Sequence, residues 1–276
     1  VFEITPDGRK TWDAWVKVPY VGMLHDFAVT QHYIVLYGIP LAFDAEQMKR
    51  GGIHWSWDRN GKTWFGFFRR GGDGKDIKWF EGPTRSGTHT MGVFDDGKKL
   101  YFDTEITAGN PFPFMPNKDG SPPDFKGAES YLHRISVPLN GKGTRYDIEQ
   151  LYPLSAPLPR QDDRYNTVPY RYGYAACPDP QQPRATAGSC YARMDLQNRS
   201  FKLWNAGTRI SLAEPVFAPK SATSREGEGY LMGVAYHLDE RLRCDLVILD
   251  AEHVEDGPIA TVKLPVQCSP QVHGLW

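Results

Sequence analysis

The sequence predicts an all-β fold. Short β-prone runs alternate with turn dipeptides along the whole chain, and no long amphipathic period interrupts them. In chain order the clearest runs are residues 33–37, 63–68, 99–102, 131–137, 230–235 and 246–249. Between and around them stand Asp7-Gly8, Asn60-Gly61, Asp73-Gly74, Asp96-Gly97, Asn140-Gly141 and Glu226-Gly227, each placing a residue tolerant of positive φ at a turn. One helical turn is expected at 44–49. The 27 Gly and 22 Pro punctuate the chain too often for longer helices. Strands this short and regular fit a sandwich, a barrel or a propeller. No exact internal repeat is visible, which argues against a WD40-type array but leaves a divergent propeller open, since blades need only the strand rhythm. Without a Gly/Ser linker or charge block, residues 1–276 read as a single domain. The segment 108–125 (AGNPFPFMPNKDGSPPDF) is rich in Pro yet aromatic, so it is expected to pack over something rather than to be disordered.

Composition removes several function classes. Lys+Arg (32) and Asp+Glu (33) balance to a net charge of −1, so there is no basic field to hold phosphates and nucleic acid is not an expected partner. The four cysteines, Cys177, Cys190, Cys244 and Cys268, form no CxxC pair, and reduced thiols in a cytoplasmic protein are the plain reading. The opening residues do not resemble a signal peptide, and the most apolar stretch, 33–43, is too short for a transmembrane segment. No GxSxG marks a hydrolase nucleophile, no motif singles out a glycosidase carboxylate pair, and RGGDGKD opens no helix that could cradle phosphate.

The histidines carry the chemistry. Of eight, His32, His54 and His253 lie in polar, turn-like contexts, and His133 and His237 lie in or at the end of strands, where structural hydrogen bonds account for them. His25 (in GMLHDFAVT), His89 (in SGTHTM) and His273 (in VHGLW) differ. Each has an apolar neighbour within two positions and a nearby glycine, Gly22, Gly87 or Gly274, that allows close backbone approach. Their separations, 64 and 184 residues, exclude a local metal motif such as HExxH but permit convergence from separate blades onto a propeller axis.

These stretches resemble the carotenoid-cleavage oxygenases, and the lignostilbene dioxygenase branch in particular. MLHDFAVT resembles the family's HDF segment, DIKWF with His89 nine residues later its RWF…H segment, LAEPVFAP its EPxFVP segment and VHGLW its terminal HGxW. GGIHWSWDR, RRGGDGKDIKWFEGP, NPFPFMP and LPRQDDRY resemble the lignostilbene branch. The likeness runs collinearly through essentially all 276 residues.

The resemblance implies a seven-bladed β-propeller, of which this chain supplies the C-terminal blades, with a central Fe(II) held by four histidines. Three of them map onto His25, His89 and His273. The fourth, and the phenol-binding Tyr and Lys, are expected in a missing N-terminal portion of the same propeller. Glu214 matches a glutamate that accepts from an iron ligand, and Phe112 and Phe114 match pocket aromatics. No catalytic residue beyond the metal ligands is implied in this chain. Two departures stand out: 157–160 (PLPR) lacks the glutamate that precedes the family's FPR, and Gly92-Val93 stands where Asn-Ala usually follows the third ligand. The implied activity is oxidative cleavage of the central C=C of a hydroxystilbene by O2 to two aromatic aldehydes. Cleavage of an apocarotenoid and a non-catalytic ligand-binding propeller are the alternatives, and homodimerisation is left open.

Overall fold

A computed structural model describes residues 1–112, 114–123, 129–140, 142–182, 188–240, 243–270 and 272–276. A hairpin of β1 (Phe2–Ile4) and β2 (Lys10–Asp13) comes first. The first four-stranded sheet joins β3 (Phe27–Val29) and β4 (Tyr33–Gly38) to β7 (Thr63–Arg69) and β8 (Lys78–Gly82). A short hairpin of β5 (Leu41–Phe43) and β6 (Trp55–Trp57) intervenes, carrying α1 (Ala45–Lys49), whose first turn the Asp44 side chain caps through Gln47 N–H. The second sheet is β9 (Thr90–Asp95), β10 (Lys99–Thr107), β11 (Ser130–Pro138) and β12 (Asp147–Ser155). The third is β13 (Leu158–Gln161), β14 (Tyr172–Cys177), β15 (Cys190–Asp195) and β16 (Ser200–Asn205). The fourth holds β17 (Ile210–Leu212), β18 (Val216–Pro219), β19 (Gly229–His237), β20 (Cys244–Asp250) and β21 (Pro258–Lys263). All pairings within these sheets are antiparallel.

The four sheets are blades of a β-propeller. The first strand of each lies innermost: β3 touches β9, β9 touches β13 and β13 touches β18. Blades then stack face to face, with a separate apolar core in each gap. Val35, Tyr37, Phe65 and Phe67 of the first blade pack against Leu100, Phe102, Ile135 and Val137 of the second. Leu132, Tyr152 and Leu154 meet Ala175, Cys177 and Met194 of the third, and Tyr174 and Tyr191 meet Phe217, Leu231 and Leu249 of the fourth. Strand β4 in mid-blade is therefore covered on both faces and reads as a continuous apolar run, YIVLYG. The outermost strands β16 and β21 are largely exposed. Among the described residues no helix is long and apolar enough to cross a membrane.

Gly8, Gly74, Gly97 and Gly227 adopt positive φ as the turn chemistry requires, and Gly141 lies outside the described residues. Gly61 is an exception and is absent from the positive-φ residues; the tight contact its position makes with Pro40 is what demands a missing side chain there. Of the 108–125 loop, Pro113, Asp124 and Phe125 lie outside the described residues. The rest packs as expected, with Met115 and Phe112 on the first core and Trp57 exchanging backbone hydrogen bonds with Pro116 and Lys118.

One expected run is much longer than its apolar part. Strand β10 continues past Phe102 through Asp103, Thr104 and Glu105, because each of these buried polar side chains has a partner. Asp103 receives both arms of the Arg134 guanidinium at 2.7 Å and the Tyr170 hydroxyl at 2.5 Å. Arg134 in turn lies over the rings of Phe94 and Tyr101. Tyr170 reaches in from the third blade, and Gly92 makes room for it, since a Cβ there would stand 2.5 Å from its ring. The departure at Gly92 is thus a packing solution. Replacing Asp103 by Ala strands a half-buried guanidinium and is expected to cost about 3 kcal/mol. Tyr170→Phe removes one hydrogen bond to a charged group and is expected to cost about 1.5–3 kcal/mol. Urea unfolding of the two variants checks both the sign and the order.

Candidate metal centre

Two of the three singled-out histidines sit immediately before the innermost strands of adjacent blades: His25 before β3 and His89 before β9. The side chain between them in the sequence motif, Asp26, explains how their spacing is set. Its Oδ1 accepts the Phe27 N–H at 2.8 Å and its Oδ2 the Thr90 N–H at 3.0 Å, tying the starts of the two strands together. Beyond His89, β9 carries a bulge: Asp103 pairs with Gly92 but Thr104 with Thr90, leaving Met91 extra. The Thr104 hydroxyl donates to the His89 carbonyl at 2.8 Å, fixing the main chain at the bulge. Gly87 is needed here because a Cβ would stand 2.9 Å from the Glu105 carbonyl oxygen.

His273 lies in the terminal segment and is held by Glu214. The innermost strand of the fourth blade is broken into β17 and β18. Leu212 pairs with Ala235 and Val216 with Met232, so three residues oppose two and the Glu214 side chain is turned out of the ladder. Its Oε1 accepts from His273 Nδ1 at 3.2 Å and its Oε2 from the Gly274 N–H at 2.9 Å.

The three imidazoles converge. Ring centroids of His25 and His89 are 5.1 Å apart, as are those of His89 and His273, and one ligand atom from each lies within 4.8 Å of the others. His89 Nδ1 is 3.0 Å from the Pro157 carbonyl oxygen. A carbonyl can only accept, so this nitrogen carries the proton and Nε2 presents its lone pair. That Nε2 is buried with no partner among the described residues. An orphaned imidazole lone pair beside two further imidazoles fits a borderline divalent cation such as Fe(II), and a lone hydrogen-bond network does not account for it. Burial, reinforced by the adjacent His89, holds the His25 pKa below its ordinary value and keeps this ring in the neutral, ligating form.

The profile of the retinal pigment epithelial membrane protein family, the carotenoid oxygenases, matches residues 1–276. The chain belongs to this family. It is 33% identical over 287 residues to lignostilbene-alpha,beta-dioxygenase isozyme III of Sphingomonas paucimobilis, covering all of this chain and 58% of that protein. It is 33% identical over 276 residues to isoeugenol monooxygenase of Pseudomonas putida, covering 98% of this chain and 57% of that one. The crystal structure of Pseudomonas brassicacearum lignostilbene dioxygenase superposes with a TM-score of 0.92 at 32% identity, over 99% of this chain and 58% of that chain. The chain thus spans somewhat over half the length of these relatives.

For a carotenoid oxygenase, the arrangement around His89 is unexpected. The sequence lacks the glutamate that the resemblance led one to expect before the FPR-like segment, and at that position the Pro157 main-chain oxygen accepts from His89 Nδ1. A carboxylate is nevertheless close by. Glu105 Oε1 stands 3.5 Å from His89 Nδ1, and also accepts from the Thr88 N–H at 3.0 Å and from the Thr88 hydroxyl. Burial pushes the Glu105 carboxyl up, but donors from His89, Thr88 and Ser130 outweigh it and leave the pKa below the ordinary value. Sequence reasoning passed over Glu105; its signal was an acidic residue in the polar stretch Asp103-Thr104-Glu105 that follows the apolar Leu100-Tyr101-Phe102. Phe112 lies beside the cluster, its ring 5.9 Å from that of His25, whereas the Phe114 ring, tilted by 48° and 5.7 Å from that of Phe112, is largely exposed. His54 packs on Phe43 and Trp55 and takes no part in the cluster. His133 bonds the Tyr131 carbonyl and His237 bonds Asp245, the structural roles expected of them.

Glu214→Ala is expected to weaken binding of a divalent metal about 10–100-fold, the usual scale when a ligand loses its orienting carboxylate. Chelator competition on the purified protein checks it, and unchanged affinity would leave Glu214 as a strand-break residue alone.

Proposed function

We propose that His25, His89 and His273 are three of the four histidine ligands of an Fe(II) centre. We further propose that the polypeptide containing this chain is a dioxygenase cleaving the central C=C of a hydroxystilbene to two aromatic aldehydes. The observation that carries this reading is the convergence of three imidazoles from positions 64 and 184 residues apart, with His89 Nε2 buried without a partner among the described residues and His273 held at Nδ1 by Glu214. When bound, Fe(II) supplies the one-electron chemistry that lets dioxygen react with a closed-shell alkene.

The chain's own residues do the rest. Pro157 and Glu214 fix which nitrogen each ring presents, and neutral histidines leave the charge of the ion uncompensated. Phe112, flanking His25, offers a flat apolar wall against which an aromatic ring can lie, and Phe114 extends it outward. A phenol-conjugated alkene fits this reading, because its electron-rich double bond is the kind that reacts with activated oxygen. On the same reading, residues 1–276 form one domain of a seven-bladed propeller in the cytoplasm. The fourth histidine and the phenol-binding groups lie in an N-terminal portion outside these residues.

The full polypeptide, loaded with Fe(II) and given O2 and a 4-hydroxystilbene, is expected to form two aldehydes per alkene, and His89→Ala to bring this to background. Turnover that is unaffected by His89→Ala would sink the assignment. The 276-residue segment alone is expected to give no aldehyde, and robust turnover by it would place every essential group within the segment.

A further inference from the structure

Glu214 is a buried carboxylate, its side chain 3% exposed, and such a group needs a countercharge. Among the described residues the only Lys or Arg within ion-pair distance is Arg160, whose Nη1 is 3.7 Å from Glu214 Oε2. The other arm of the same guanidinium, Nη2, is 3.5 Å from Asp163 Oδ2. Arg160 lies on β13, the innermost strand of the third blade, and lines a cavity of about 330 Å³ between the inner strands together with Asp26, Thr90 and Gln161. Three residues earlier, the Pro157 carbonyl holds His89. Residues 157–160 therefore supply the partner of His89 through a main-chain oxygen and contact the partner of His273 through a side chain.

We propose that Arg160 is a positioning residue for His273. Its guanidinium, braced by Asp163, keeps the Glu214 carboxylate turned toward His273 Nδ1. The hold of His273 on a metal is then set from β13 through the relay Asp163–Arg160–Glu214–His273. The two oxygens of Glu214 divide the work: Oε1 faces His273, while Oε2 takes the Gly274 N–H and faces Arg160. Without the guanidinium, only one backbone N–H remains to orient Oε2, and the carboxylate is free to rotate away from the imidazole. Arg160 touches neither metal nor substrate in this scheme. The proposal rests on the metal-site reading above, and its test separates the two.

The test uses the full polypeptide stripped of metal and titrated with Co(II), following the visible absorption of the bound ion and its loss to a competing chelator. Glu214→Gln and Arg160→Met are each expected to weaken Co(II) binding about tenfold or more. The double variant should be no weaker than Glu214→Gln alone, because both changes cut one relay. Arg160→Lys retains a cation and should recover most of the affinity, which a purely packing role would not predict. Wild-type affinity in Arg160→Met beside a weakened Glu214→Gln would overturn the proposal, and so would additive losses in the double variant. If near-UV circular dichroism shows that Arg160→Met has lost its fold, Asp163→Asn at a half-exposed side chain is read instead, and unchanged affinity there overturns it equally. Failure of the wild-type protein to bind Co(II) in a His89-dependent way would instead be a failure of the metal-site reading.

Discussion

The Asp26 carboxylate accepts one N–H from its own blade, at Phe27, and one from the next, at Thr90. Those two bonds align the starts of β3 and β9, and the residues just upstream, His25 and His89, are brought together as a consequence. The remaining features of the site are adjustments around this alignment. The bulge at Met91 lets β9 leave the alignment and still pair with β10. The break between β17 and β18 frees Glu214 to reach the terminal segment. A ladder of regular strands would keep every side chain in the inter-blade cores, so irregular pairing near the axis is what makes side chains available for chemistry.

The parts of the fold legible in the sequence are mid-blade strands. All six clear runs are second or third strands of the first, second and fourth blades; those of the first blade are buried almost throughout, while β11, β19 and β20 alternate between buried and partly exposed positions. The innermost strands were not legible, because at three to six residues they are too short to show a period. The outermost strands lie exposed and look like surface loops. The third blade escaped for a different reason: β14 and β15 draw half of their residues from Ala, Cys and Gly, small residues that let its neighbours approach but do not resemble a typical strand core.

The site was legible unevenly. His25, His89 and His273 stood out through their flanking residues, and the structure brings all three together. Glu214 was found through its motif. Glu105 and the Pro157 carbonyl were not found, for separate reasons. The first looked like one carboxylate among many, since its meaning depends on pairing between β10 and the turn before β9. The second is a main-chain atom, and no residue type announces it. Long-range networks such as Asp103–Arg134–Tyr170 are hidden for the same reason as Glu105: each partner lies on a different element.

The acceptor at His89 also has a genetic consequence. A carboxylate acceptor such as Glu214 is lost by a single base change in its codon. The oxygen of Pro157 is present whatever side chain occupies that position, so point substitution cannot delete it. Only an event that shifts the path of β13, such as an insertion or deletion between β12 and β13, removes the bond. The two orienting contacts of this centre therefore present mutational targets of unequal size, and drift in this lineage will reach His273 through its partner more readily than it reaches His89.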